Sequence, residues 1–339
     1  MPATAFAAPN PTPDPTATSA PPAAPPASSE RLEDVRKQID ELYRQAAVAT
    51  EAYNQAQEQT KLQSAEIVKI AQEIVKGEER IKRLRDQAGA TARLQYRTGG
   101  LPAGAQMMLS GNPDSFLDGA DRLRQGQQAA QGMLAELNRT QQDLAQYSKD
   151  ASAQWKRLEA NRVKKETAKK EVTGKIAAAE KLESQLEAKE RERLAELERR
   201  QQYKAQTDWL GSGILKEING RASEQGRRAV KFATDQIGKP YVWGAEGPSS
   251  FDCSGLTSQA WLAAGHGIPR TSQEQWAQLP HVAIKDMRPG DLIIYFADAT
   301  HVGMYIGDGA IVHAPRPGRN VTVAGAGTMP ILGVVRPDK

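Results

Sequence analysis

From Leu32 onward, apolar side chains recur at alternating spacings of three and four: Leu32, Val35, Ile39, Leu42, Ala46, Ala49, Tyr53 and Ala56. After polar breaks at Thr60 and Gln63 the register resumes at Ile67, Ile70 and Ile74, breaks at Gly77, and continues through Ile81, Leu84 and Ala88. With charged residues between, such a stripe is the seam of a coiled coil. Ser29 suits a helix N-cap and Gly99-Gly100 a stop. A second stripe opens with Phe116, Ala120 and Leu123 and runs through Leu134, Leu137, Leu144, Ala151 and Leu158. It continues through Val172, Ile176, Ala179, Leu186, Leu194 and Leu197. Two long helices with a short tip predict an antiparallel hairpin over residues 30–206, each arm reaching on the order of 100 Å. The tip, 99–114, carries an apolar patch, Met107-Met108-Leu109, which either caps the hairpin's own end or docks a partner. The seam could equally pair with a second chain.

The pattern changes at both ends of the hairpin. Residues 1–29 are Pro, Ala, Thr and Ser with almost no large apolar residue, so they cannot bury a core and read as a disordered or polyproline-like tail. Residues 207–221 loosen into Trp209-Leu210-Gly211-Ser212-Gly213 and Asn219-Gly220, a linker. Beyond it, residues 222–339 are richer in Gly, Pro and aromatics and have the size of one domain. A helix is expected over 223–237, with Ala229, Val230, Ala233 and Ile237 on one face. A second is expected over 257–266, with Leu256, Ala260, Trp261 and Ala264 at helical spacing and Gly265 as C-cap. An almost wholly apolar strand over 291–296 follows the turn Arg288-Pro289-Gly290. Segments 301–306 and 310–313 flank Gly307-Asp308-Gly309 as a hairpin, and 321–323 and 331–335 supply further strands. Helices first and antiparallel strands after make an α+β domain.

Cys253 is the only cysteine in 339 residues, so no internal disulfide exists. Asp252 before it is a good N-cap, which puts the thiol in the first turn of a helix, where the positive dipole end favours a thiolate. A thiol nucleophile needs a base, and the base needs a group to fix its tautomer. A three-residue hairpin loop pairs Ile306 with Ala310 and Gly303 with His313, which brings His301 and His313 to one face; a two-residue loop would separate them. Cys253, His301 and His313 can then act as nucleophile, base and orienting residue, with the Cys253 backbone N–H at the oxyanion. The competing readings are an inert buried cysteine and structural histidines. A metal site of the same three side chains lacks the tight paired ligand spacing such sites show. His266 and His281 fall in loop-like stretches and receive no role.

Net charge is +4, and neither a strong basic patch nor an aromatic reader is evident, which argues against a nucleic-acid partner. No run of 18 apolar residues occurs. Ala5-Phe6-Ala7 fits the small-x-small pattern of a signal-peptidase site, or is chance in an alanine-rich tail; the expected location is secreted, in the cell envelope.

Tyr241-Val242-Trp243-Gly244, Phe251-Asp252-Cys253-Ser254-Gly255, Arg270-Thr271-Ser272 with Gln275, Arg288-Pro289-Gly290-Asp291-Leu292, His301-Val302-Gly303-Met304-Tyr305 and Val312-His313-Ala314 follow one another through the last domain. With them, residues 222–337 resemble the NlpC family of bacterial cell-wall cysteine peptidases, a papain-like group. The coiled coil is similar to that of secreted actinobacterial members. The resemblance implies a papain-like α+β domain without a cofactor or metal, with Cys253 as nucleophile, His301 as base and His313 as orienting residue. It implies that the Tyr241 hydroxyl supports the oxyanion side and that Asp252 and Ser254 meet the substrate's free amine. The implied substrate is the peptidoglycan stem peptide, cut between D-isoglutamate and the diamino acid, often meso-diaminopimelate. The hairpin would localise or regulate the enzyme by docking on a membrane-anchored cell-division regulator, its movement uncovering the cleft. The alternatives are an amidase or acyltransferase on the same scaffold, and a non-catalytic scaffold that binds wall peptides.

Overall fold

A computed structural model describes residues 29–97, 113–218 and 220–338. The N-terminal tail to residue 28 and most of the expected tip, with its Met107-Met108-Leu109 patch, lie outside the described residues. Helices α1 (Ser29–Arg97) and α2 (Pro113–Ser184) run side by side. Their cross-pairs descend on one helix as they ascend on the other: Gln63 with Asn161, Gly77 with Leu144, Arg80 with Glu136. The hairpin is therefore antiparallel. Leu32, Ile39, Ala46, Ala49, Ala56, Ile70 and Leu84 of the first stripe are buried, as are Leu158, Val172 and Ala179 of the second. Gly77 does not break the helix. A Cβ there would sit 2.7 Å from Leu144 Cδ2, so the glycine lets the two helices close together.

The second stripe is two helices rather than one. α2 ends at Ser184, and Gln185-Leu186-Glu187 turns the chain into α3 (Ala188–Gly211), whose start is a capping box between Glu187 and Glu190. Leu194 of α3 joins Ile39 and Tyr43 of α1 in a small core with Ala179 of α2. The stretch expected as a linker is helical to Gly211 and again over α4 (Ile214–Glu217). Trp209 explains this: its ring lies against Gly309 and Gly327, so the segment packs onto the C-terminal domain.

That domain has helices α5 (Glu224–Thr234), α6 (Cys253–Ala263) and α7 (Ser272–Gln278). Its strands are β1 (His281–Val282), β2 (Leu292–Tyr295), β3 (His301–Gly307), β4 (Ala310–His313), β5 (Thr322–Gly325) and β6 (Ile331–Val335). They form one antiparallel sheet in the order β1-β6-β2-β3-β4-β5. It is the α+β domain expected, a helical layer on an antiparallel sheet behind a long helical hairpin. One sheet face packs Leu292, Ile294, Val302, Met304 and Val312 against Leu256, Ala260 and Trp261 of α6 and Ala229 and Ala233 of α5. The other packs Ile293, Tyr295, Tyr305 and Ile311, with Trp209 and Ile218 against them. Both faces are covered, which is why the β2 sequence is apolar throughout instead of alternating.

The β3–β4 turn differs from expectation in an instructive way. Gly307, not Ile306, pairs with Ala310, leaving a two-residue loop, Asp308-Gly309. A bulge at Ile306 compensates. Tyr305 still pairs with Ile311 and Met304 with Val312, so the two histidines keep a common face.

Candidate active site

Cys253 is the first residue of α6. Asp252 caps the helix, accepting from the Gly255 N–H at 2.6 Å. The sulfur lies beside the start of β3, where the Val302 N–H donates to it, one residue after His301. His301 Nε2 and His313 Nδ1 are 2.9 Å apart, with their rings nearly perpendicular at 82°. That bond occupies the Nε2 edge of His301. Tyr241 is buried, which raises its hydroxyl well above the ordinary range, and it lies near enough to the thiol for Cys253 to raise it further. One end of the sheet, one helix start and one loop thus bring together residues spread over 73 positions, from Tyr241 to His313.

Beneath them lies a buried polar network. Arg270 holds Asp252 with both terminal nitrogens, at 2.7 and 3.1 Å, and donates to Ser254 Oγ at 2.9 Å. The Gly244 N–H also donates to Asp252, at 2.9 Å. Gln275, just beyond, accepts from Thr257 and donates to the Pro269 carbonyl. Asp252 and Ser254 therefore sit next to the thiol, and Arg270, which has no role in the sequence pattern, ties them in place.

The cleft is filled. One turn of α1, residues 50–54, lies across it. The Glu51 carboxylate accepts from Ser254 Oγ and from the Ser272 N–H, each at 2.9 Å, and reaches within 3.8 Å of Cys253 Sγ. Asn54 Nδ2 donates to Asp252 at 3.1 Å. Thr50 hydrogen-bonds the Tyr241 hydroxyl, and the Tyr53 ring meets Trp243 edge-on at 5.1 Å. Arg44–Asp298 and Lys61–Glu246 ion pairs flank this turn on either side. Glu51 is only 2% exposed and Cys253 3%. Nothing in the sequence marks Glu51 or Asn54 as site residues: both sit among the charged and amide positions that normally form a solvated helix face.

The covering turn sets the electrostatics. Burial pushes the Cys253 thiol well above its ordinary range, and the Glu51 and Asp252 carboxylates push it further, against smaller opposing effects of the Val302 N–H and Arg270. The helix-dipole argument for a thiolate is overridden here. Burial and the neighbouring His313 lower His301, and burial lowers His313 to about 4. With α1 seated, both the thiol and the imidazoles are neutral.

A cysteine heading a helix, packed on an antiparallel sheet that carries a hydrogen-bonded histidine pair, is the arrangement of the papain-like class. The NlpC/P60 family model matches residues 238–329. A probable endopeptidase of Corynebacterium glutamicum is 44% identical over 115 residues, which is 34% of this chain and 55% of that protein. The chain thus spans about half the length of that relative. A probable endopeptidase of Mycobacterium tuberculosis is 44% identical over 94 residues, 28% of this chain and 24% of that one. Among solved structures, the NlpC/p60 domain of the peptidoglycan hydrolase SagA is similar with 32% identity and a TM-score of 0.31, over 33% of this chain and 97% of that one. The C-terminal domain of this chain belongs to the NlpC/P60 family.

Proposed function

We propose that the C-terminal domain is a peptidoglycan cysteine endopeptidase, secreted to the cell envelope, that opens the D-isoglutamyl–diamino acid bond of stem peptides, with meso-diaminopimelate as the expected diamino acid. His301 takes the Cys253 proton, and the thiolate attacks the scissile carbonyl. The Cys253 backbone N–H and the Tyr241 hydroxyl face the oxyanion. His301 returns the proton to the leaving amine, which leaves a thioester. Water, deprotonated by His301, then releases the acid and restores the thiol. His313 orients His301 through the 2.9 Å bond. Asp252 and Ser254, held by Arg270, meet the free amine of the stem peptide.

One observation carries this reading: the chain's single thiol stands at a helix start beside the strand whose first residue is one of two bonded histidines. Cys253→Ala should abolish digestion of purified wall while thermal unfolding stays close to wild type, and mass spectrometry of wild-type muropeptides should show new D-isoglutamate C-termini. Undiminished digestion by the variant would remove the thiol from the mechanism.

The hairpin's part in this proposal is regulation. Residues 50–54 occupy the space a stem peptide needs, so α1 must leave before substrate enters. A membrane-anchored division regulator that engages the hairpin would supply that movement.

A further inference from the structure

Among the described residues, Glu51 enters the cleft without an ion pair of its own. Arg270 spends its charge on Asp252, at 2.7 Å, and on Glu246, at 3.4 Å. The Glu51 carboxyl is met by a hydroxyl, a backbone N–H and a thiol. The titratable and charged groups around it are Asp252 and Cys253 at the head of α6, Arg270 before α7, and Tyr241 from the loop before α6. Two carboxylates thus share one buried guanidinium, and the second is costly to bury as an anion but not as an acid. The rest of the seat is imperfect too. Among the described residues, Asn54 Oδ1 is the one buried side-chain nitrogen or oxygen with no hydrogen-bond partner.

From this geometry we infer that Glu51 is a proton-dependent latch: α1 is held in the cleft by the protonated carboxyl and loosened when that carboxyl ionises. This deepens the regulation proposed above and rests on that reading only in taking Cys253 as the reactive thiol. Seated, Glu51 is raised from 4.5 to about 7, chiefly by burial and then by Asp252. A carboxyl raised in the closed state favours closure fully below its free value. It loses that contribution as pH climbs from 4.5 through about 7. The opening constant should therefore grow up to roughly tenfold per pH unit within that window.

The test is alkylation of Cys253 by iodoacetamide in the full chain, compared between wild type and Glu51→Gln from pH 5 to pH 8. Glutamine can accept from the Ser272 N–H and donate to Ser254, but it cannot ionise. Dividing the two rates cancels the titration of the uncovered thiol. The wild-type to variant ratio should rise by roughly 40-fold between pH 5 and pH 7 and level off above. It should do so whether the glutamine variant is seated or open, because its opening does not depend on Glu51 ionisation. A ratio that stays flat across pH 5 to 8 would overturn the latch. Glu51→Ala supplies the same denominator should the glutamine variant fail to fold, as judged by circular dichroism. Alkylation reports cleft opening whatever the substrate, so a failed latch is distinguishable from a failed peptidase reading, which wall digestion by Cys253→Ala decides.

Discussion

At the scale of single residues, the site depends on groups that hold others. Arg270 is 8% exposed and bridges Asp252, Ser254 and Glu246. Replacing it with methionine removes the guanidinium that stands beside two buried carboxylates. Breaking a buried pair from one side costs about 3–5 kcal/mol, so Arg270→Met should lower the melting temperature sharply at neutral pH. Part of the loss should return at pH 5, where Glu51 is protonated, while the unpaired Asp252 keeps the remainder. A melting temperature unchanged at pH 7.5 would mean that the network contributes little to stability. Arg270 appears in the sequence as part of an Arg-Thr-Ser triplet, yet no spacing rule links it to Asp252 eighteen positions earlier. Only folding α7 back beside α6 does so.

At the scale of elements, α3 behaves as part of the C-terminal domain. Gln206 donates to the Gly309 carbonyl and accepts from the Gly327 N–H, and Trp209 covers the same two glycines. Arg316 and Arg319 reach Glu198 on the same helix. Trp209 is half-buried, so Trp209→Ala should cost about 2 kcal/mol, less than a fully buried tryptophan would. Chemical denaturation of the full chain would read this as a lower midpoint for the C-terminal transition. An unchanged midpoint would show that α3 is only loosely attached. Apolar spacing made α3 visible as helix but not as a separate one. The break at 185–187 leaves the stripe intact through Leu186 and Leu194, so periodicity runs across it. The bulge at Ile306 was invisible for a related reason: it corrects a loop-length change, so the side-chain pattern on either side is unaltered.

At the scale of the whole molecule, the contacts that α3 and α1 make with the C-terminal domain differ in character. The α3 contact joins the Trp209 ring, the Gln206 hydrogen bonds to backbone and the Glu198 ion pairs. The α1 contact is a row of polar side chains set into the cleft over Cys253. Removing residues 31–205 takes away α1, α2 and α3 up to residue 205, with the Glu198 ion pairs, yet keeps Gln206 and Trp209, so the domain retains that part of its α3 anchor while the cleft is uncovered. The shortened chain should digest purified wall fragments at least tenfold faster than the full chain at pH 6, with a smaller gap at pH 8, where Glu51 no longer favours closure. Equal or slower digestion at both pH values would contradict control by the hairpin. Among the described residues, no helix is long and apolar enough to cross a membrane.

Local signals in the sequence were enough to determine the two long amphipathic helices, the α+β domain behind them, and a thiol at a helix start. These follow from periodicity, capping and register, all of which act over a few residues, whereas the common face of His301 and His313 rests on a bulge that those signals do not show. The tertiary structure alone decided that a glutamate 202 positions before the cysteine lies 3.8 Å from it, and that burial, with the neighbouring carboxylates adding to it, raises the thiol. A charged residue on a helix looks the same whether its face meets water or another domain. Which of the two it meets depends on how long elements pack, and no local pattern encodes that.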